Sequence, residues 1–213
     1  MSENEIRLSF FSSIFLKEMP ISLKEENWAI NLPLYKSIEF KYSRGALRKF
    51  LSTIFEMPAL EIKLNAPPGK PPILENGLGY VSISHCKNGL LLGWSNYPLG
   101  VDIEQLGRKL FAKKIINRFY SEKEKIFLSR FSGEELRRKC LDLWVIKESS
   151  IKSVRGSVFR DLDKWEYSEE NGISLNSEFG IKKKIFIDSI NQFRIAIAYD
   201  LRIHKDNILI SIN

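Results

Sequence analysis

The sequence predicts an α+β protein of two related lobes, each a helix plus an antiparallel sheet, with the active site at the lobe interface. Three observations lead there. A helical segment followed by alternating strands occurs twice, in halves of about 100 residues. The turn Asn96-Tyr97-Pro98-Leu99-Gly100 separates the halves, so the lobes are read as 1–98 and 99–213. No long linker, low-complexity tract or short tandem repeat interrupts the chain. The halves correspond in element order, not in matching residues.

The apolar run Ile6 to Leu16 is too short to span a bilayer. It contains Arg7 and follows Glu3 and Glu5, the wrong flank for a secretory signal, so it is read as a first strand. Arg44 to Met57 reads as a helix, with Leu47, Phe50, Leu51, Ile54 and Phe55 on one stripe. Pro67-Pro68-Gly69-Lys70-Pro71-Pro72 is the strongest local breaker and predicts a stiff extended loop. A three-stranded meander follows: Tyr80 to Ser84, a turn at Lys87-Asn88-Gly89, Leu90 to Ser95, and a strand bearing Asp102 and Glu104. Lys109 to Phe119 looks helical. Ser121-Glu122-Lys123-Glu124 and Ser132-Gly133-Glu134-Glu135 each read as a capping box opening a helix. The second helix runs to about Ser153, with the apolar stripe Leu136, Cys140, Leu143, Trp144 and Ile151. Strands follow at Ile185 to Ile187 and Phe193 to Tyr199.

Composition narrows the partners without choosing one. Thirty-three basic against 26 acidic residues give a net charge of +7, which favours nucleic acid, an anionic membrane, a polyphosphate cofactor or an acidic protein. Nucleic-acid binding would need a basic stripe interleaved with aromatics, whereas here the cations are dispersed. The densest run, Lys182-Lys183-Lys184, reads as a strand edge or solvated turn. The two cysteines, Cys86 and Cys140, can supply neither a disulfide framework nor a four-thiolate metal site, and are read as reduced packing residues. These features point to a cytoplasmic protein with no membrane and no nucleic-acid partner.

Chemistry concentrates in two stretches. In Gly100-Val101-Asp102-Ile103-Glu104 the alternation of a strand points Asp102 and Glu104 the same way, roughly 6–7 Å apart at the Cα, a spacing from which two acids can grip one hard cation. The bland alternative is a solvated edge-strand face, but Asp is disfavoured in strands and calls for a reason. In Trp144-Val145-Ile146-Lys147-Glu148-Ser149-Ser150-Ile151-Lys152, Glu148 and Lys152 lie one helical turn apart, with Trp144 a turn earlier. Alone, that pair is an ordinary surface Glu–Lys contact. With a second acidic pair on a strand it points to metal-assisted chemistry on phosphate. Ser84-His85 ends a strand, where ligand contacts are frequent; Lys70 and Arg44 could each meet a phosphate, and His204 is read as surface.

Taken together, Gly69-Lys70-Pro71, Ser82-Ile83-Ser84-His85, Gly100 to Glu104, Arg118-Phe119-Tyr120-Ser121 and Trp144 to Lys152 closely resemble the Sfp-type 4'-phosphopantetheinyl transferases in order and approximate spacing. The resemblance covers residues 44 to 152 and is strongest in Gly-x-Asp-x-Glu followed by Trp-x-x-Lys-Glu-Ser-x-x-Lys. It implies transfer of the phosphopantetheine arm of coenzyme A to a serine of an apo acyl or peptidyl carrier protein, releasing adenosine 3',5'-bisphosphate. It implies Mg2+ held by Asp102, Glu104 and Glu148, with Glu148 also as base for the carrier serine and Lys152 on the diphosphate. Ser84 and His85 would contact the coenzyme, Arg44 and His85 near its 3'-phosphate, and Lys70 through the Gly-Lys-Pro turn. Residues 1–98 would form the coenzyme-binding half, and 99–213 the metal and catalytic-helix half. Acidic carriers suit the basic balance, and the length resembles the monomeric branch of the family. Cys86 stands where many members carry a second serine, and Lys36 and Lys41 are candidates for the outer nucleotide site. Phe111 to Tyr120 would face the carrier or pack the helix core. Another Mg-dependent phosphotransferase or phosphohydrolase acting on a nucleotide-like pyrophosphate shares the acid set and stays open.

Overall fold

A computed structural model describes residues 4–12 and 19–213. The first half contains β1 (Ile6–Ser12), α1 (Leu23–Ile30), α2 (Leu34–Phe55), β2 (Leu64–Asn65), β3 (Ile73–Leu74), β4 (Tyr80–Cys86) and β5 (Gly89–Ser95). The second contains β6 (Gly100–Gln105), α3 (Ala112–Phe119), α4 (Glu122–Leu128), α5 (Gly133–Ser153), α6 (Val158–Asp161), β7 (Trp165–Ser168), β8 (Ile173–Asn176), β9 (Ile181–Ile190), β10 (Phe193–Tyr199) and β11 (Ile208–Ile212). The architecture is α+β, with two sheet-and-helix regions as expected. The first strand is found, and the part of its expected span at residues 13–16 lies outside the described residues.

One sheet has the order β11-β1-β5-β4, the other β6-β10-β9-β8-β7. All pairings are antiparallel except β1 with β11, where the last strand returns to the first sheet. Four layers result. Helix α2 packs Ala46, Leu47, Phe50, Leu51 and Ile54 against Leu90, Leu92 and Trp94 of β5. The opposite face of that sheet (Ile6, Leu8, Phe10, Leu91) meets Val101, Ile103, Ile195 and Ile197 of the second sheet. Helix α5 covers the far side, with Val145 and Ile146 on Ala196. Strand β5 is therefore buried on both faces, which is why it reads as a continuous apolar run rather than an alternation. Each of its large side chains contributes about 1.5–3 kcal/mol by leaving water.

Several expectations need correction. Helix α2 starts at Leu34, ten residues before the expected Arg44; its opening turns leave Leu34, Tyr35 and Ile38 exposed, so no buried stripe marks them in the sequence. The proline-rich loop is not extended: Lys70 N–H bonds Pro67 O at 3.4 Å, and Gly69 takes φ +71°, a tight turn between β2 and β3 that Pro68-Gly69 suits. The meander stops at two strands. β6 leaves β5 to pair with β10, so it opens the second sheet. Ser132 caps α5 only by position, without a side-chain bond. The Ser121–Glu124 capping box forms as expected. The lysine run lies within β9, between β10 and β8, rather than at an edge. Lys183 is buried there and donates to the Pro98 carbonyl at 3.3 Å, while Lys184 donates to that of Ile203 at 3.0 Å. Among the described residues, no helix is long and apolar enough to cross a membrane.

Candidate active site

The site begins where α5 lies on β6. A Cβ on Gly100 would sit 2.0 Å from Ser149 O and 2.4 Å from Ser153 N, so only glycine lets the helix backbone rest directly on the strand. That contact sets Glu148 and Lys152, at the end of the helix, over Asp102, two residues along the strand. On its other side β6 meets β4 through serine side chains. Ser82 Oγ accepts from Val101 N–H at 3.0 Å, and Ser84 Oγ accepts from Ile103 N–H at 3.3 Å. Two hydroxyls thus take the amide groups that a neighbouring strand's carbonyls would otherwise satisfy.

Asp102 is buried at 2% exposure, and its oxygens divide sharply. Oδ1 accepts from Ser84 Oγ at 2.7 Å and from Lys152 Nζ at 2.5 Å. Oδ2 is buried with no hydrogen-bond partner. Lys152 also donates to Ser84 Oγ at 2.9 Å and lies 3.5 Å from Glu148 Oε2, so a single ammonium bridges the strand acid and the helix acid. Burial, then the negative charge of Asp102, pushes the Glu148 carboxyl up to about 7, against the pull of Lys152 and Arg108. Burial works to lower the Lys152 ammonium, but Asp102 and Glu148 outweigh it and hold it above its ordinary value. Glu104 is on the same strand and pairs with Arg108, whose guanidinium lies 5.4 Å over the Trp144 ring.

Beside this cluster is a cleft of about 270 Å3, lined by Arg44, Gly69, Lys70, Ser82, His85, Lys152 and Arg155 among others. Sequence positions 44, 70, 85 and 152 therefore converge on one cavity between α2, β4 and the end of α5. Ser84 lies next to it, buried in the carboxylate cluster. Arg44 is buried and donates to the carbonyls of Ala66 (2.8 Å) and Pro67 (3.5 Å), so it also anchors the Gly69-Lys70 turn. Burial lowers it to about 10, with Glu25 opposing. His85 Nδ1 is 3.1 Å from Glu39; burial lowers its pKa, Glu39 opposes, and the cations Lys152, Lys36 and Arg44 add to the lowering. Lys36 pairs with Glu39 at 2.8 Å, within electrostatic reach of His85, whereas Lys41 pairs with Glu26. In α3, Ile115, Ile116 and Phe119 pack the helix core, and Phe111 just before it is 77% exposed. Cys86 and Cys140 are both free thiols, and His204 is exposed as expected.

Sequence reasoning missed Arg108, Arg155 and the second role of Ser82. Arg155 follows α5 with a left-handed φ of +54° and reaches the cleft, a placement no local pattern announces. It also missed the pair that fixes α5. Lys147 is fully buried, 2.7 Å from Glu124, and donates to the carbonyls of Leu162 (3.0 Å) and Trp165. Its position beside Glu148 in a helix disguised it as a solvent-facing charge.

As placed, no group of three or more His, Cys, Asp or Glu side chains among the described residues stands ready to hold a metal ion. The donor chemistry nevertheless fits a hard cation. Asp102 offers a buried oxygen without a partner, and Glu148 is charged only at a cost because it is buried and, second, because Asp102 adjoins it. Asp102 and Glu148 share the Lys152 ammonium, while Glu104 is held by Arg108.

Residues 98–198, which hold the strand acids and the whole of α5, match the 4'-phosphopantetheinyl transferase superfamily. Among curated proteins it is similar to the 4'-phosphopantetheinyl transferase gsp of Aneurinibacillus migulanus, 29% identical over 108 residues, or 51% of this chain and 44% of that protein. The 4'-phosphopantetheinyl transferase ffp of Bacillus subtilis is 30% identical over 107 residues (50% of this chain, 47% of that one). The 4'-phosphopantetheinyl transferase Sfp of Bacillus subtilis (strain 168) is 28% identical with the same coverage. The matches span less than half the length of each of these relatives.

Proposed function

We propose that the protein is a Sfp-type holo-[carrier protein] synthase, which moves the phosphopantetheine arm of coenzyme A onto a serine of an apo acyl or peptidyl carrier protein. The observation that carries the reading is the junction of a cation-lined cleft (Arg44, Lys70, His85, Lys152) with the Asp102–Lys152–Glu148 cluster. A polyanionic substrate belongs in the cleft, and acid–base groups stand at its end. Residues 1–98 would supply the coenzyme-binding half and 99–213 the metal and catalytic half, in a cytoplasmic monomer.

In this reading Arg44 and His85 take the 3'-phosphate side of the coenzyme, and Lys70 is presented by the turn that Arg44 anchors. Lys152, steadied by Ser84, meets the diphosphate and balances charge on the departing adenosine 3',5'-bisphosphate. Glu148 accepts the proton of the carrier serine as its oxygen attacks the phosphorus bearing the pantetheine arm and the P–O–P link breaks. Glu148 stands beside Lys152 at the end of the cleft, where a carboxylate can take that proton. Asp102 and Glu148, with Glu104, would hold Mg2+, which supplies charge neutralisation at the diphosphate.

The test is to incubate the protein with coenzyme A, Mg2+ and an apo carrier, then weigh the carrier. A mass gain of one phosphopantetheine supports the reading. Hydrolysis of coenzyme A without modification of any of several carriers would favour a phosphohydrolase instead.

A further inference from the structure

We propose that Arg108 is a latch on the candidate cation site: it holds Glu104 in an ion pair that a divalent ion must open, and so sets how tightly that ion binds. The inference rests on the ligand reading given above. Strand β6 ends at Gln105, and the following turn is closed by Arg108 N–H donating to the Gln105 carbonyl at 2.9 Å. The guanidinium returns to pair with Glu104, four residues back, and lies over the Trp144 ring at 5.4 Å. Trp144 is one turn before Glu148 on α5, so Arg108 ties the outer strand acid to the helix that carries the inner one. The tie is anchored from behind by Arg137, which donates to the Arg108 carbonyl at 3.1 Å.

The sign of the effect follows from charge. A carboxylate already paired with a guanidinium offers a dication less negative potential, and the guanidinium itself repels the incoming ion. The pair is also breakable: Arg108 is 37% exposed at its side chain and Glu104 17%, so water and salt screen it. Lys152 cannot fill the same role, because it is hydrogen-bonded between Asp102 and Ser84 and faces the coenzyme cleft. Arg108 does not line that cleft. If Arg108 merely oriented Glu104 as a ligand, removing it would weaken the ion; as a latch, its removal tightens the ion.

The experiment is a Mn2+ titration of the metal-free full chain by electron paramagnetic resonance, without coenzyme or carrier. Four proteins are compared: wild type, Arg108→Gln, Arg108→Lys and Asp102→Asn. Arg108→Gln is expected to bind about fivefold to tenfold tighter at low salt, an advantage that shrinks as salt rises. Arg108→Lys, which keeps the charge, should stay near wild type, and melting curves show that each variant is folded. Equal or weaker binding by Arg108→Gln, with binding still lost in Asp102→Asn, overturns the latch and leaves the ligand reading standing. Wild-type protein that takes no Mn2+, or binding that survives in Asp102→Asn, overturns both.

Discussion

Replacing Gly100 with alanine tests whether the site depends on the backbone contact between α5 and β6. The added methyl would lie 2.0 Å from Ser149 O, 2.4 Å from Ser153 N and 2.9 Å from Lys152 C, all backbone atoms of one helix. No rotamer change can relieve a clash with backbone, so the helix must retreat from the strand by about 1.4 Å to restore ordinary contact. Overpacking of that kind costs about 1–3 kcal/mol. The same retreat pulls Lys152 from its 2.5 Å contact with Asp102 and moves Glu148 with it. Misplacement by about 1 Å is enough to lower a rate on the order of 100-fold. The assay is transfer to an apo carrier read by mass, alongside a thermal melt. We expect a loss of that order with a melting point lower by about 2–10 °C. A variant with unchanged melting and unchanged transfer would refute the claim that this contact sets the cluster.

Three further outcomes are expected. Glu148→Gln keeps shape but removes the proposed base, so transfer should fall at least about 100-fold with the fold intact, and near-normal turnover would remove Glu148 from the mechanism. Lys147→Met strands the buried Glu124 carboxylate and leaves the Leu162 and Trp165 carbonyls without their donor, which should cost about 3–5 kcal/mol in a denaturant titration; a loss under about 1 kcal/mol would show that the pair does not hold α5. Arg202 holds the Asp200 carboxyl down to about 2, against an ordinary 3.8. The folded state therefore sheds this proton more readily than the unfolded chain, and the stability so gained is present above about pH 3.8 and lost as pH falls toward 2. Asp200→Asn should melt slightly below wild type at pH 7 and together with it near pH 2, and a gap that persists in acid would break the link.

Much of the site was legible in the chain because its chemistry is local. Asp102 and Glu104 are separated by the period of a strand, and Glu148 and Lys152 by that of a helix, so each pair could be placed on one face without knowing the fold. The helix stripe around Leu47 and Leu51 was equally plain, since apolar residues at helical spacing face a core. The segments misread are those whose structure is set by a distant partner. The lysines of β9 look like a solvated run, yet Pro98 and Ile203 carbonyls receive two of them. The opening of α2 lacks a buried stripe, and β6 looks like a third meander strand until β10 claims it.

The sequence by itself determined which residues could do acid–base and phosphate chemistry, and on which kind of element each would lie, because side-chain type and backbone period are properties of short segments. Only the tertiary structure decided that one ammonium bridges Asp102 and Glu148, that serines of β4 close the amides of β6, and that Arg108 holds Glu104. The ammonium bridge joins residues 50 positions apart, and it exists because Gly100 carries no side chain to keep the helix off the strand.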